Sequence, residues 1–254
     1  MTTILVVGAT GSIGHLVVAE ALRQGYATRA LVRNRAKASR LLPEDADVVV
    51  GDVTRPQTLQ AAMERIDAVI LTLGSESGGS AESVDYGGVL NVLEALGNRQ
   101  VRIVLMTAIG VTSRSGSFSE VLDWKRRSER LVRASGLPYT IVRPGWFDYN
   151  DAGQQRLVAL QGDPRHTGTP ADGAVSRRQI AQVLVHAVGS GEAVGKTLVL
   201  ISENGSPTID FDGFFAPLER DPQGALDGVG DPGNMPLDRE PAAVRRDLAA
   251  VTGH

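Results

Sequence analysis

The chain has 254 residues, of which 42% are hydrophobic and 22% charged, and its formal net charge is −3. This composition is ordinary for a globular protein, and no basic patch indicates nucleic acid or an anionic membrane surface as a partner. The absence of cysteine excludes disulfides and thiolate chemistry, and the four histidines lack metal-ligand spacing. With no leader-like start and no long apolar run, we expect a cytoplasmic protein without a metal or a membrane span.

Short apolar runs alternate with amphipathic segments through the first two thirds of the chain. This alternation predicts an α/β fold in which a doubly wound parallel sheet, as in the Rossmann fold, is covered by helices on both faces. The expected strands are 3–7, 28–32, 47–50, 68–73, 102–106, 139–142 and 197–201. The expected helices are 12–24, 36–42, 57–65, 84–96 and 119–135.

A glycine-rich turn joins the first strand to the first helix. It reads Gly8-Ala9-Thr10-Gly11-Ser12-Ile13-Gly14, a G-x-x-G-x-x-G spacing that brings backbone N–H groups and a positive helix end together. Gly8 would permit the tight turn, Gly11 the approach of phosphates, and Gly14 the close packing of helix on sheet. In this strand-turn-helix context the loop predicts a bound dinucleotide, and the alternative is an empty turn.

The end of the second strand indicates which dinucleotide binds. In this fold an acidic residue here would bind the free ribose 2′-hydroxyl of NAD, but the chain reads Arg33-Asn34-Arg35 with Lys37 close behind. A guanidinium can hold a 2′-phosphate, so we expect NADP (NADPH) rather than NAD, with Arg33 as the principal contact. The alternative is that these are solvated charges at a helix start.

The next two strands end in residues suited to the rest of the cofactor. Asp52 and Val53 follow the third strand, where a short polar side chain can bind the adenine amino group, although Asp52 could equally serve the turn. Gly74 ends the fourth strand and would admit a ribose against the backbone. A loop glycine without a ligand is the competing explanation.

The last third of the chain departs from the alternating pattern. Residues 148–173 are rich in Gly, Asp and Pro and precede a helix that Ser176 could cap. We expect a cofactor-binding domain over 1–205, with a small substrate-side annex at about 148–190, and an irregular C-terminal extension over 206–254 ending in a helix near 242–251. The extension would wrap the surface or pack on a second copy or another protein, and partial disorder is the alternative.

These motifs, with Met106-Thr107-Ala108-Ile109-Gly110, Lys125 and the segment 135–145, resemble the atypical short-chain dehydrogenase/reductase superfamily. The resemblance covers residues 1–205 and is greatest to NAD(P)H-binding, NmrA-like members of the epimerase/dehydratase type. It implies a Ser/Thr, Tyr and Lys set in which the tyrosine transfers a proton and the lysine holds the nicotinamide ribose. It also implies that the Pro144-Gly145 backbone lies against the nicotinamide.

Only part of that catalytic set is present. Lys125 falls on the packed face of its helix, where a cofactor ribose would satisfy the amine, and the alternative partner is Glu129 one turn later. Val121 stands where the resemblance places the tyrosine, so the usual proton transfer has no donor. Thr107 is the hydroxyl nearest the expected Ser/Thr and could orient a substrate carbonyl.

Aromatic residues follow the sixth strand and would line a pocket beyond the nicotinamide. Trp146, Phe147 and Tyr149 form this group, and Tyr149 or Asp148 could replace the missing acid. The alternative is that the aromatic rings pack beneath the annex.

The sequence supports three functions. The first is an NADP-dependent oxidoreductase that moves a hydride to or from a small carbonyl, enone or quinone-like substrate, with the proton from Tyr149 or water. The second is a non-catalytic sensor of NADP(H) that signals to a protein partner through the C-terminal extension. The third, a nucleotide-sugar epimerase or dehydratase, also needs the tyrosine that Val121 replaces.

Overall fold

A computed structural model describes residues 1–75, 79–114, 118–165 and 167–252, so two of the four histidines, His166 and His254, lie outside the described residues. The strands are β1 (Thr3–Val7), β2 (Ala27–Val32), β3 (Asp47–Val50), β4 (Ala68–Leu71), β5 (Arg102–Met106), β6 (Tyr139–Pro144), β7 (Trp146–Phe147), β8 (Arg156–Leu160), β9 (Ala174–Val175) and β10 (Lys196–Glu203).

The principal sheet has eight strands in the order β3-β2-β1-β4-β5-β6-β10-β8. Its strands run parallel except β8, which lies antiparallel to β10 at one edge. The order reverses between β1 and β4, which places a ligand crevice at the carboxyl ends of these strands. The predicted doubly wound Rossmann fold is confirmed.

Helices cover both faces of this sheet. They are α1 (Gly14–Arg23), α2 (Arg35–Leu41), α3 (Gly87–Leu96), α4 (Ser119–Ala134), α5 (Arg177–Gly189), α6 (Phe211–Phe215) and α7 (Ala242–Thr252). Side chains of α1, α2, α5 and α6 share one apolar core, and those of α3, α4 and α7 share the other. Within the described ranges, no helix is long and apolar enough to cross a membrane.

The helix expected at 57–65 is replaced by two short 3₁₀ turns, Pro56–Thr58 and Gln60–Met63. The Thr58 hydroxyl bonds the carbonyl oxygens of Asp52 and Arg55 (3.2 and 2.8 Å), so it competes with the helical pattern. Arg65 then takes a positive φ of 51° and ends the segment.

A π-helical turn, Glu82–Tyr86, precedes α3 in the region where the sequence predicts one continuous α-helix. Such turns carry an extra residue in the helical repeat and often occur at functional sites. The turn rotates the side chains before Gly87 relative to those of α3. It buries the side chain of Asp85 at the carboxyl edge of the sheet.

The segment after β6 is more ordered than its composition predicts. β7 pairs with β9 in a small parallel sheet of two strands, while β8 extends the principal sheet. Ser176 caps α5 as expected, in a reciprocal capping box with Gln179.

The C-terminal extension, residues 206–252 in the described chain, packs along α4 of its own chain. Helical spacing places the α4 arginines on a different side of the helix from the apolar residues, and the extension covers that side and buries most of them. Arg126 is fully buried, and its guanidinium donates to Asp227, Asn234 and the carbonyl oxygen of Pro232. Arg130 pairs with the same Asp227, and Arg127 pairs with Glu240 of the extension. The charges of α4 are therefore neutralised within the chain.

The end of the extension also contributes to the apolar core. Val244, Leu248 and Val251 of α7 are buried against α3 and α4. We expect Leu248→Ala to lower the free energy of unfolding by about 2 to 4 kcal/mol, because the site of a buried leucine cannot fully collapse. Denaturation in urea measures the change.

The same substitution at Leu237 is the matched control, because Leu237 is 44% exposed against 5% for Leu248. It should change the stability by less than about 1 kcal/mol. Equal effects of the two substitutions would show that α7 does not pack on α3 and α4 as described.

Candidate cofactor and substrate site

The glycine loop between β1 and α1 has no room for side chains at two of its glycines. Gly8 takes a φ of +87°, and a Cβ on Gly14 would lie 2.1 Å from the Gly8 carbonyl oxygen. The Gly11 N–H donates to that same oxygen at 2.9 Å. No described side chain caps the start of α1, and the His15 and Leu16 amides donate to carbonyl oxygens of the loop. Among the described residues no acceptor takes the amides of residues 12–14, and a pyrophosphate site requires such amides.

A cleft of about 660 Å³, counting its open mouth, lies at the carboxyl ends of β1, β2, β3 and β4. Seven of the residues predicted to bind the cofactor line it: Gly8, Thr10, Gly11, Arg33, Asp52, Val53 and Gly74. The structure brings these residues together. Gly14 lies behind the loop, Ile13 is buried in the core and Ser12 is exposed.

The lining of the cleft carries opposite charges. Arg33 and Lys37 line it together with Asp52. Arg35 turns away, since its guanidinium donates to the carbonyl oxygen of Val48 at 3.0 Å. The cations that the sequence groups together thus divide into two at the cleft and one bonded to β3.

Asp52 serves the turn that follows β3. Its Oδ1 accepts from the N–H and the hydroxyl of Thr54 at 2.9 and 2.8 Å. Partial burial raises the pKa of Asp52, but the Thr54 bonds and the charges of Arg33 and Arg55 outweigh it and lower the pKa below its usual value. Contact of this carboxylate with adenine stays a prediction.

Beside the loop after β4, Lys125 pairs with a carboxylate that the sequence analysis did not identify. Its Nζ lies 2.5 Å from Oδ1 of Asp85, and the Ser75 N–H donates to Oδ2 of the same residue at 3.2 Å. Both side chains are largely buried. The pairing of Lys125 with Glu129, weighed from the sequence, does not form.

Helical spacing could not locate Asp85, because the π-helical turn shifts the register at that point. The residues on either side do mark the place. Gly74, adjacent to Ser75, and Val84, adjacent to Asp85, both line the cleft. The ion pair therefore adjoins the wall of the cleft.

Thr107 is committed to a different contact from the one expected. Its hydroxyl donates to Oε1 of Glu129 at 2.7 Å, in a buried network that includes Arg143 and Arg133. A threonine hydroxyl has one proton, and here it goes to a carboxylate, which can only accept. Thr107 can therefore accept a hydrogen bond from a ligand, but it cannot donate one to a substrate carbonyl.

Glu129 is ionised in this network. Burial raises its pKa, but the charge and hydrogen bonds of Arg143, the charge of Arg133 and the Thr107 hydroxyl outweigh burial and lower the pKa to about 2. Asp221 of the C-terminal extension pairs with Arg133, and Asp231 of the same extension pairs with Arg143. The extension thus supports the end of β5 through buried charges.

The residues after β6 divide between packing and exposure. Gly145 is buried, and a Cβ there would lie 2.4 Å from the Gly173 carbonyl oxygen. The packing of these two backbone segments is therefore enough to require glycine at this position. Contact of Pro144 and Gly145 with a nicotinamide stays a prediction. Tyr149 is 64% exposed and meets Trp146 edge to face, with ring centroids 5.9 Å apart.

Asp148 is unsuited to donate a proton. Its carboxylate accepts from the backbone N–H of Arg177 at 2.9 Å and pairs with the Arg177 guanidinium at the start of α5. These bonds and charges lower the pKa of Asp148 below its usual value. Of the two acids considered in this segment, Tyr149 remains a candidate.

The glycine loop and cleft agree with the comparison to known families. A family model described as NAD(P)H-binding matches residues 8–190. The chain belongs to this NAD(P)H-binding family. The resemblance to atypical short-chain dehydrogenases/reductases is confirmed, and the fold and the cleft are those of a dinucleotide-binding protein.

Relatives of this NAD(P)H-binding protein include an enzyme that matches over most of its length. Sanguinarine reductase of Eschscholzia californica is 28% identical over 84% of this chain and 95% of its own. Curated relatives also include chloroplast proteins.

Solved structures share the fold. A Bacillus halodurans protein of the NAD-dependent epimerase/dehydratase type has a TM-score of 0.70 at 23% identity, covering 85% of this chain and 98% of its own. A Veillonella parvula short-chain dehydrogenase/reductase solved with NADP has a TM-score of 0.61 at 18% identity, covering 82% and 97%.

The Gly14 contact generates a test of the loop. Gly14→Ala places a methyl group against the Gly8 carbonyl, so the loop must move and the anion site is lost. We expect NADPH binding to weaken at least about tenfold, which is about 1.4 kcal/mol. Fluorescence titration with NADPH measures this, and Gly191→Ala, with open space at its Cβ, is the control. Unchanged affinity in Gly14→Ala would contradict the geometry.

The Glu129 network generates a test of stability against pH. Because the pKa of Glu129 falls from its ordinary 4.5 to about 2 on folding, its contribution is complete above about pH 4.5 and is lost as the pH falls towards 2. Glu129→Gln removes the carboxylate that Arg133 and Arg143 share and leaves each guanidinium with one carboxylate of the extension. The loss of these buried charge-assisted bonds should cost about 3 kcal/mol at neutral pH.

In denaturation series from pH 7 to pH 2, the variant should also lose stability less steeply below pH 4.5 than the unmodified protein does. Glu203→Gln, which breaks the exposed pair with Arg156, is the control and should cost less than about 1 kcal/mol. A similar cost for the two variants would show that the network is not buried.

Proposed function

We propose that this protein is an NADPH-dependent reductase that transfers a hydride to a small carbonyl, enone or quinone-like substrate. The observation that carries the proposal is the largely buried ammonium of Lys125, whose partner Asp85 bonds the residue next to Gly74 in the wall of a cleft that Arg33 and Lys37 also line. The match to sanguinarine reductase over most of both chains supports reductase activity.

The two cations that line the cleft, Arg33 and Lys37, support NADPH over NADH as the cofactor. A ribose 2′-phosphate carries negative charge that Arg33 and Lys37 can neutralise, and no acidic residue stands at the end of β2 to bind a free 2′-hydroxyl. The related fold solved with NADP is consistent with this choice.

The residues present fit such a cofactor. Gly8, Gly11 and the start of α1 would hold the pyrophosphate, and Lys125 would hold the nicotinamide ribose. An ammonium has three donors, and the described residues take one of them, through Asp85. NADPH, when bound, supplies the hydride.

Lys125 is the group best suited to the substrate oxygen. With Val121 in place of a tyrosine, its positive charge would stabilise the negative charge that develops on that oxygen. Water or Tyr149 would supply the proton, since the proton of Thr107 is given to Glu129. Replacement of Tyr149 by phenylalanine distinguishes these two sources.

The scarcity of proton donors beside Lys125 favours a second candidate, a sensor without catalytic activity. Val121 and Ala108 carry no transferable proton, and Thr107 cannot donate one to a ligand. Such a protein would bind NADP⁺ and NADPH with different affinities and signal to another protein. That such a partner contacts the C-terminal extension stays a prediction, and so does binding of a second copy of the chain there.

A cytoplasmic location of the protein also stays a prediction.

Absorbance at 340 nm separates the two candidates. A reductase should oxidise NADPH in the presence of members of a panel of aldehydes, enones and quinones, and Lys125→Met should lower the rate by about 100-fold or more. Binding of NADPH without oxidation across the panel would exclude the reductase. Unequal affinities for the two redox forms would then support the sensor.

The cofactor preference has its own test. Arg33→Ala should weaken NADPH binding by about 10- to 100-fold and leave NADH binding nearly unchanged, because only NADPH has the 2′-phosphate. Isothermal calorimetry with both cofactors measures the ratio. Arg35→Ala is the matched control, since that side chain bonds β3. An equal loss for NADH would refute the assignment of Arg33.

A further inference from the structure

The side chain of Asp85 is a buried carboxylate at a position where the Rossmann fold itself does not require one. Asp85 is 3% exposed, and the groups that satisfy it are the Lys125 ammonium and the Ser75 N–H. Removing a carboxylate and an ammonium from water is costly, and apolar side chains of similar size often pack at least as well. An ion pair kept at this place therefore indicates a task other than stability.

The position of Asp85 in the chain links two walls of the site. Its Oδ2 bonds the backbone directly after Gly74, which lines the cleft, and its Oδ1 bonds the lysine of α4. One rigid carboxylate thus sets the distance between the loop after β4 and the Lys125 ammonium.

The turn that carries Asp85 is itself held from the opposite side. The Tyr86 hydroxyl donates to Asp247 of α7 at 2.9 Å, and the Tyr86 ring packs on Trp124 with centroids 5.4 Å apart. Burial and the Asp247 carboxylate raise the pKa of Tyr86, so this hydroxyl keeps its proton. The Arg127 guanidinium lies over the other ring, 4.4 Å from the Trp124 centroid. The π-helical turn is therefore anchored between α4 and the C-terminal extension.

We propose that Asp85 is a positioning residue, which fixes the Lys125 ammonium at the nicotinamide end of the cleft and leaves its two other N–H donors for the cofactor ribose and the substrate. This proposal rests on the proposed function for its effect on turnover. Its effect on cofactor binding does not need a substrate. Because Val121 supplies no acid, the Lys125 ammonium is the group that would act on both the cofactor ribose and the substrate oxygen. Its position therefore controls both cofactor binding and turnover.

A double-mutant cycle on the full chain tests the proposal. NADPH affinity is measured by fluorescence titration for the unmodified protein, Asp85→Asn, Lys125→Met and the double variant. We expect Asp85→Asn to weaken binding by about tenfold, Lys125→Met by at least as much, and the double variant by no more than Lys125→Met alone, since the two residues act as one unit. Glu82→Gln, an exposed acid in the same turn, is the matched control and should bind as the unmodified protein does.

Turnover gives a second readout that loss of structure would not reproduce. Asp85→Asn should lower kcat by about 10- to 100-fold while KM for the carbonyl substrate changes less than about threefold, because a displaced ammonium affects the transition state more than the bound substrate. Asp85→Glu keeps the charge and should recover part of kcat and of the NADPH affinity. If Asp85→Asn does not fold, as judged by its thermal melt, Asp85→Glu replaces it in the cycle, both alone and combined with Lys125→Met.

Three results would overturn the proposal: NADPH affinity in Asp85→Asn equal to that of the unmodified protein, losses that multiply in the double variant, or an equal loss in Glu82→Gln. Failure to find any reducible substrate would count against the proposed reductase alone. The binding cycle would still decide the role of Asp85.

Discussion

The contact between Gly14 and the carbonyl of Gly8 is the constraint on which the site depends. It lets α1 start directly behind the end of β1, with its first amides and its positive end directed at the crevice where the strand order reverses. The cations after β2, the turn after β3 and the loop after β4 then converge on the same crevice because their strands are neighbours in a parallel sheet. The position of the site therefore follows mainly from the strand order and from the absence of a side chain at Gly14.

Much of this was accessible from the sequence. The glycine spacing, the apolar runs and the cations after the second strand are local patterns, and each predicts a feature at the correct edge of the sheet. Strand β8 and the pair of β7 and β9 were not predicted, because glycine and proline obscure short strands whose pairing is decided by distant segments.

The charged residues were harder to predict. Periodicity places the α4 arginines off the apolar side of the helix, and it cannot show that acidic residues about a hundred positions later cover them. The partner of Lys125 was missed for a related reason: a single π-helical turn changes which residue faces α4, and no local pattern announces that turn. In both cases the outcome depends on contacts between segments far apart in the chain.

The C-terminal extension has a consequence for how this family varies. The matched family region ends at residue 190, yet the carboxylates that balance the cations of α4 lie beyond it. A homologue that lacks such a tail would leave these arginines without the carboxylates that pair with them here. The α4 helix, which holds Lys125 against Asp85, is thereby tied through its charge balance to the irregular C-terminal extension.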